Sequence, residues 1–219
     1  MKAVLLAAGV GRRLGSDLPK ALLEVGGRTL LDRHLDNLRQ LGLDALVVTG
    51  FQAERFAHLP TVHNAEFRRG SVLSLKTALD AIDEDCVVMD ADVLYDPSIL
   101  ADVIGLERGF ALDPRTDPGD EEMMLGVRDG RVRAIRRGRL PGFDLVGEGV
   151  GFVKLDRASL PAVRDAIDAS DPEGDYEAAL DLYLGEHGAD YVLVGDRPWV
   201  EIDFPEDVER AERDVLPLL

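Results

Sequence analysis

A cluster of cations and two sets of alternating carboxylates are the residues here whose spacing can do chemistry. Arg12, Arg13 and Lys20 follow the run Leu6-Ala7-Ala8-Gly9-Val10-Gly11, an apolar stretch that stops at glycines. Residues without a β-carbon let backbone N–H groups approach an anion closely, and the neighbouring cations add charge of the right sign. That combination suits the holding of a polyphosphate. Asp90 and Asp92 end a second apolar run, Cys86-Val87-Val88-Met89, and their alternation projects both on one side. Paired carboxylates repel unless a cation stands by them, and a hard divalent ion, most simply Mg²⁺, fits oxygen ligands of this kind. Further along, Trp199, Glu201 and Asp203 share one strand face ahead of Pro205, Glu206 and Asp207. Read locally, Asp203 is the N-cap of the helix that Pro205 begins.

Spacing decides what kind of phosphate loop the first constellation is. A dinucleotide-binding fingerprint needs a third glycine where Leu14 stands, and an acid after the second strand, where the chain has Val48-Thr49-Gly50. A P-loop needs Gly-Lys-Ser/Thr where the chain has Leu18-Pro19-Lys20. Both readings fail. Asn64 and the stretch Gly70, Ser71 and Ser74 stand before a helix and offer amides and hydroxyls to a nucleotide, or a plain capped helix start. The histidines at 34, 58, 63 and 187 show no metal-ligand or triad spacing.

The elements that must position these residues alternate along the first half. Residues 2–7 read as a buried strand, 29–41 as an amphipathic helix stopped by Gly42, and 43–49 as a second strand. A helix at 71–82 and a third strand at 86–89 follow. This is the pattern of a parallel sheet covered by helices. Later, 123–127 and 132–135 flank Asp129-Gly130, a hairpin signal that predicts a small antiparallel insert. A strand at 149–155, helices at 157–169 and 176–187, strands at 191–194 and 199–202, and a helix from 205 complete the reading. Residues 113–122, rich in Pro, Gly and acids, read as an exposed loop. The expected fold is α/β, a Rossmann-like mixed and mainly parallel sheet flanked by helices, in a single domain over residues 1–219.

Composition bounds the partners. Among 219 residues, 42 acids against 25 bases give a formal net charge of −17, so a nucleic acid or an anionic membrane would be repelled by most of the surface. The single cysteine, Cys86, rules out a disulfide framework. No apolar stretch approaches the roughly 20 residues of a membrane span, and the N-terminus lacks a signal pattern, which points to the cytoplasm. A homodimer is left open.

Leu6-Ala7-Ala8-Gly9-x-Gly11-x-Arg13-Leu14 with Pro19-Lys20-Ala21-Leu22 resembles the signature of the nucleotidyltransferases that activate sugar phosphates and alcohol phosphates. Glu121-Glu122-Met123, Asp129-Gly130-Arg131-Val132, Gly147 to Phe152 and Trp199 to Asp207 extend the resemblance to the phosphocholine cytidylyltransferases. It implies the nucleotide-diphospho-sugar transferase type of fold, CTP as donor, Mg²⁺ as cofactor, and a small phosphate or phosphonate acceptor. It further implies that Arg13 and the loop residues Leu6, Ala7, Ala8, Gly9, Gly11 and Arg12 wrap the triphosphate, with Lys20 on the reacting phosphates. Asp92 and Asp203 match the metal-binding carboxylates, with Asp90 in support. Gly70, Ser71 and Ser74 match a base-binding segment. Arg137 stands near a position where related enzymes carry a lysine. Glu148, Tyr176 and Trp199, with Phe152 and Glu177, are candidates for the acceptor side.

Overall fold

The computed structural model describes residues 1–15, 17–117, 119 and 122–219, with the backbone alone at Arg12. The expected phosphate contact of the Arg12 side chain, and Glu121, lie outside the described residues.

The first strand, β1 (Lys2–Ala7), is followed by the short β2 (Glu24–Val25) and β3 (Arg28–Thr29), helix α1 (Leu30–Gln40) and β4 (Asp44–Thr49). Then come β5 (Thr61–His63), α2 (Ser71–Asp80), β6 (Cys86–Asp90), β7 (Val93–Tyr95), α3 (Pro97–Ile104) and β8 (Gly109–Asp113). The hairpin β9 (Met123–Arg128) and β10 (Arg131–Arg137) leads to β11 (Leu145–Leu155), α4 (Leu160–Asp168), α5 (Tyr176–His187), β12 (Asp190–Leu193), β13 (Trp199–Glu201) and α6 (Pro205–Arg210).

The main sheet runs β10-β9-β11-β6-β1-β4-β5, with β8 beside β11 and β12 beside β8. Strands β6, β1, β4 and β5 are parallel, and β11 enters antiparallel to β6. Strand β1 is buried on both faces: Val4 packs in the core under α2, α4 and α5, while Ala3 and Leu5 pack in the core under α1 and α3. Two-sided burial explains why it reads as a continuous apolar run rather than an alternating one. Helix α1 starts where Thr29 accepts a hydrogen bond from the Asp32 amide at 3.0 Å, and it buries Leu30, Leu31, His34 and Leu38 on one stripe. Cys86 is buried, and burial pushes its thiol up to about 12, well away from reactive thiolate.

The Asp129-Gly130 hairpin forms as expected, with Asp129 at φ 52° and Gly130 at φ 70°, and it joins the main sheet antiparallel through β11. Several features depart from expectation. Strand β11 begins at Leu145, earlier than expected, because its pairing with β8 shifts register between Gly149 and Val153 and Gly151 sits at φ +77°. That irregularity hides the alternation. Strands β5, β7 and β8 and helix α3 carry no period long enough to be read. Asp113, placed in an exposed loop by composition, is the buried last residue of β8. No described helix is long and apolar enough to cross a membrane.

Candidate active site

The loop after β1, the turn after β6 and the segment after β13 meet at the carboxyl ends of the parallel strands, where ligands of open α/β sheets bind. Gly11, at φ +62°, is what lets the loop close: a β-carbon there would lie 2.9 Å from Lys20 Cγ. Lys20 therefore passes over the loop, and its ammonium donates to Asp92 Oδ2 at 2.7 Å and to Asp203 Oδ1. Burial alone would lower the Lys20 pKa, but the Asp92 and Asp203 carboxylates more than reverse that, so it stays charged. Arg13 NH1 lies 3.7 Å from Asp203 Oδ2, and its guanidinium sits 5.6 Å from the centre of the Phe204 ring.

Asp92 and Asp203 are brought together by a two-stranded ribbon rather than by the main sheet. Strand β13 pairs antiparallel with β7, with Glu201 opposite Val93, and the Ile202 amide donates to the Asp92 carbonyl at 3.0 Å. A small apolar cluster containing Leu94, Val200, Ile202 and Ala211 anchors the ribbon. The N-cap reading of Asp203 is not met: Phe204 is the N-cap, and Asp207 Oδ2 accepts from the amides of Asp203 at 3.0 Å and Phe204 at 2.8 Å. The Asp203 side chain is thereby left to face Lys20.

Oxygens of Asp92, Glu201 and Asp203 can all lie within 4.8 Å of one another, which suits a hard divalent cation. Glu201, passed over as a ligand in the sequence, joins them because it alternates with Asp203. Burial first, and then Asp92, push the Glu201 carboxyl well above the usual range, the mark of an acid short of a counter-ion. Asp90 is raised in the same way, by burial and then by Asp92. Its Oδ2 accepts from the Tyr176 hydroxyl at 2.8 Å, and a β-carbon on Gly151 would come within 2.6 Å of that same oxygen.

The cleft has two compartments. The larger, about 260 Å³, is lined by Leu6, Ala7, Ala8, Gly9 and Gly11 of the loop, with Lys20, Ser71 and Ser74 opposite. The smaller, about 160 Å³, is lined by Arg13 and Asp203 together with Phe110, Phe152 and Leu180. Asp90, Arg137, Tyr176, Glu177 and Glu201 line both.

Not every candidate falls in this cleft. Ser71 accepts from the Tyr176 amide at 2.8 Å and Ser74 from the Asn64 side chain at 3.0 Å, so both hydroxyls have structural partners while facing the larger compartment. Gly70 packs on residues 172–174, where a β-carbon would sit 2.3 Å from the Gly174 carbonyl. Glu148 and Trp199 line a separate recess beyond Glu201: Glu148 accepts from Thr116 at 2.7 Å, and Trp199 donates to Asp113 at 2.8 Å. Arg137 reaches the cleft and pairs with Asp175 at 2.9 Å.

Residues 3–137 match the MobA-like NTP transferase domain. The chain is 31% identical over 230 residues to a bifunctional IPC transferase and DIPP synthase of Rubrobacter xylanophilus, covering 98% of this chain and 52% of that protein. It is 30% identical over 244 residues to the UTP–glucose-1-phosphate uridylyltransferase AglF of Haloferax volcanii, covering 97% of this chain and 96% of that one. It thus spans about half the length of the bifunctional relatives it matches. Among solved structures, the CTP:phosphocholine cytidylyltransferase of Streptococcus pneumoniae superposes with a TM-score of 0.80 at 21% identity, over 96% of this chain and 97% of that one. The glycine loop, the lysine that crosses it and the carboxylate ribbon accordingly stand in a member of the MobA-like NTP transferase family.

Proposed function

We propose that the chain, read as one domain over residues 1–219, transfers the cytidylyl group of CTP to a small phosphate or phosphonate acceptor and releases pyrophosphate. The observation that carries this reading is Lys20, held between Asp92 and Asp203 at the edge of the glycine loop. A binding loop alone would need no such carboxylates. The triphosphate lies along the loop in the larger compartment with Lys20 on its oxygens, and the acceptor enters the smaller one, which Arg13 lines.

An acceptor oxygen attacks the α-phosphorus in line. One P–O bond forms to the acceptor while the α–β bridging bond breaks, and pyrophosphate leaves with the electron pair. The acceptor oxygen is already anionic, so no general base is required. Positioning and charge stabilisation are the protein's contribution. Asp92, Asp203 and Glu201 are the residues that would hold Mg²⁺, which when bound withdraws charge from phosphate oxygens. Asp90, braced by Tyr176, keeps the wall between the compartments in place.

The choice of CTP is supported by the resemblance of the motifs to the cytidylyltransferases. The Haloferax relative favours a second reading, transfer to a sugar 1-phosphate, and inositol phosphate and aminoethylphosphonate belong in the same comparison. The test is pyrophosphate release from each nucleoside triphosphate, with Mg²⁺, against phosphocholine, aminoethylphosphonate, inositol phosphate and hexose phosphates. Release with CTP and one small acceptor is expected. No release with any pair would leave a nucleotide-binding module without catalysis.

A further inference from the structure

A separate cavity of about 290 Å³ lies between α1, β7 and the turn at Leu216–Leu218, and it shares no lining residue with the cleft. Its wall carries a positive charge short of a counter-ion. The Arg33 guanidinium donates from Nη2 to the Val25 carbonyl at 2.6 Å, yet its buried Nε–H has no hydrogen-bond partner. Asp36 stands in the same wall but is taken by Arg28 and Arg39. Burial and then Arg28 hold the Arg33 pKa below the usual arginine range, and no carboxylate counters them. Tyr95, 3% exposed, lines the same cavity, and its hydroxyl faces the Asn37 side chain without closing a hydrogen bond. Two buried donors without acceptors cost stability, and a bound acceptor removes that cost.

We propose that this cavity is a second ligand site, which binds a small organic oxyanion with its carboxylate or phosphate on Arg33 and its apolar part against Val93, Pro97 and Leu216. A guanidinium suits either head, because its planar N–H edge can bond two oxygens at once. Asn37 and Gln40 add amide donors to the same wall. A cation is disfavoured there, since Arg28 and Arg33 both repel it. The volume is at the small end for ligand pockets, which limits the occupant to a compact molecule. On a chain with a net charge of −17, a spot that keeps an arginine free of carboxylates runs against the general balance. That contrast is what an anion would find.

Calorimetric titration of the full chain with phenyl phosphate, phenylacetate and the uncharged benzyl alcohol tests this. At least one anion should bind and the alcohol should not, and the tighter anion tells a phosphate site from a carboxylate site. Arg33→Gln should weaken that anion by roughly tenfold or more, the size of one charge-assisted contact. Tyr95→Phe, which keeps the ring and removes only the hydroxyl, should weaken it by a smaller factor. Lys20→Ala should still bind it, because that lysine belongs to the cleft. Circular dichroism checks the fold of each variant, and if Arg33→Gln does not fold, Arg33→Lys decides, since it keeps the charge but loses the Nε–H edge. No binding of either anion up to roughly 10 mM, equal binding of the alcohol, or full affinity in the folded Arg33 variant overturns the inference. So does binding that is lost in Lys20→Ala alone, which would place the anion in the cleft.

Discussion

The ammonium of Lys20 donates to Asp203 across 183 positions of sequence and, at 2.7 Å, to Asp92. One lysine thus serves as the counter-ion of carboxylates that otherwise repel. This double attachment makes separate predictions for catalysis and for metal binding.

Lys20→Ala should lower kcat by roughly 100-fold or more, the usual cost of losing one group that stabilises developing charge. Far-ultraviolet circular dichroism should be unchanged. Full activity in this variant would remove Lys20 from the mechanism.

The same variant leaves Asp92, Glu201 and Asp203 without their internal cation, so Mg²⁺ should raise its melting temperature more than it raises that of the wild type. A smaller rise would mean that the lysine and the metal occupy different places. Asp92→Asn should show the opposite pattern, with a weak thermal response to Mg²⁺ and a higher Mg²⁺ concentration needed for half-maximal pyrophosphate release.

Glu177 predicts a pH dependence whose sign is fixed. Its folded pKa of about 8 lies above its ordinary value of 4.5, so between these limits the folded protein keeps a proton that the unfolded chain has lost. Stability from this group therefore falls as pH rises from 4.5 towards 8. Glu177→Gln should melt higher than the wild type at the top of that window and match it at the bottom. Thermal melts across the range decide the matter, and a constant difference would point to packing instead.

Gly151 is placed to keep Asp90 where Tyr176 can reach it. At φ +77°, with a β-carbon predicted only 2.6 Å from Asp90 Oδ2, Gly151→Ala should cost about 1–3 kcal/mol from backbone strain and displace that carboxylate. Denaturant melts measure the first effect. A raised KM for CTP or acceptor reports the second.

How much of this was legible beforehand depends on how local each signal is. Strand β1 and the loop to Lys20 announce themselves, because an apolar run buried on both faces and a cluster of glycines and cations are contiguous. Asp92 and Asp203 were legible through strand-end position and resemblance, but the contact between them was not, since it depends on β7, a strand of only 3 residues. Glu201 could have been promoted by its alternation with Asp203. Glu177 was noticed only as a candidate for the acceptor side, and its burial in the cleft wall, which raises its carboxyl, follows from the packing of α5 against the hairpin strand β10. Glu148 and Trp199 drew notice by residue type, yet side-chain direction along β11 and β13 sends them to another recess.

The ribbon of β7 and β13 also bears on the timing of synthesis. Strand β13 follows every strand of the main sheet, so an emerging chain acquires its glycine loop and Asp92 well before Asp203 reaches them. Until that last strand docks, Lys20 has only one carboxylate to hold and the candidate cation site is incomplete. A nascent chain at that stage would lack the full carboxylate set while the strands of its main sheet are already present.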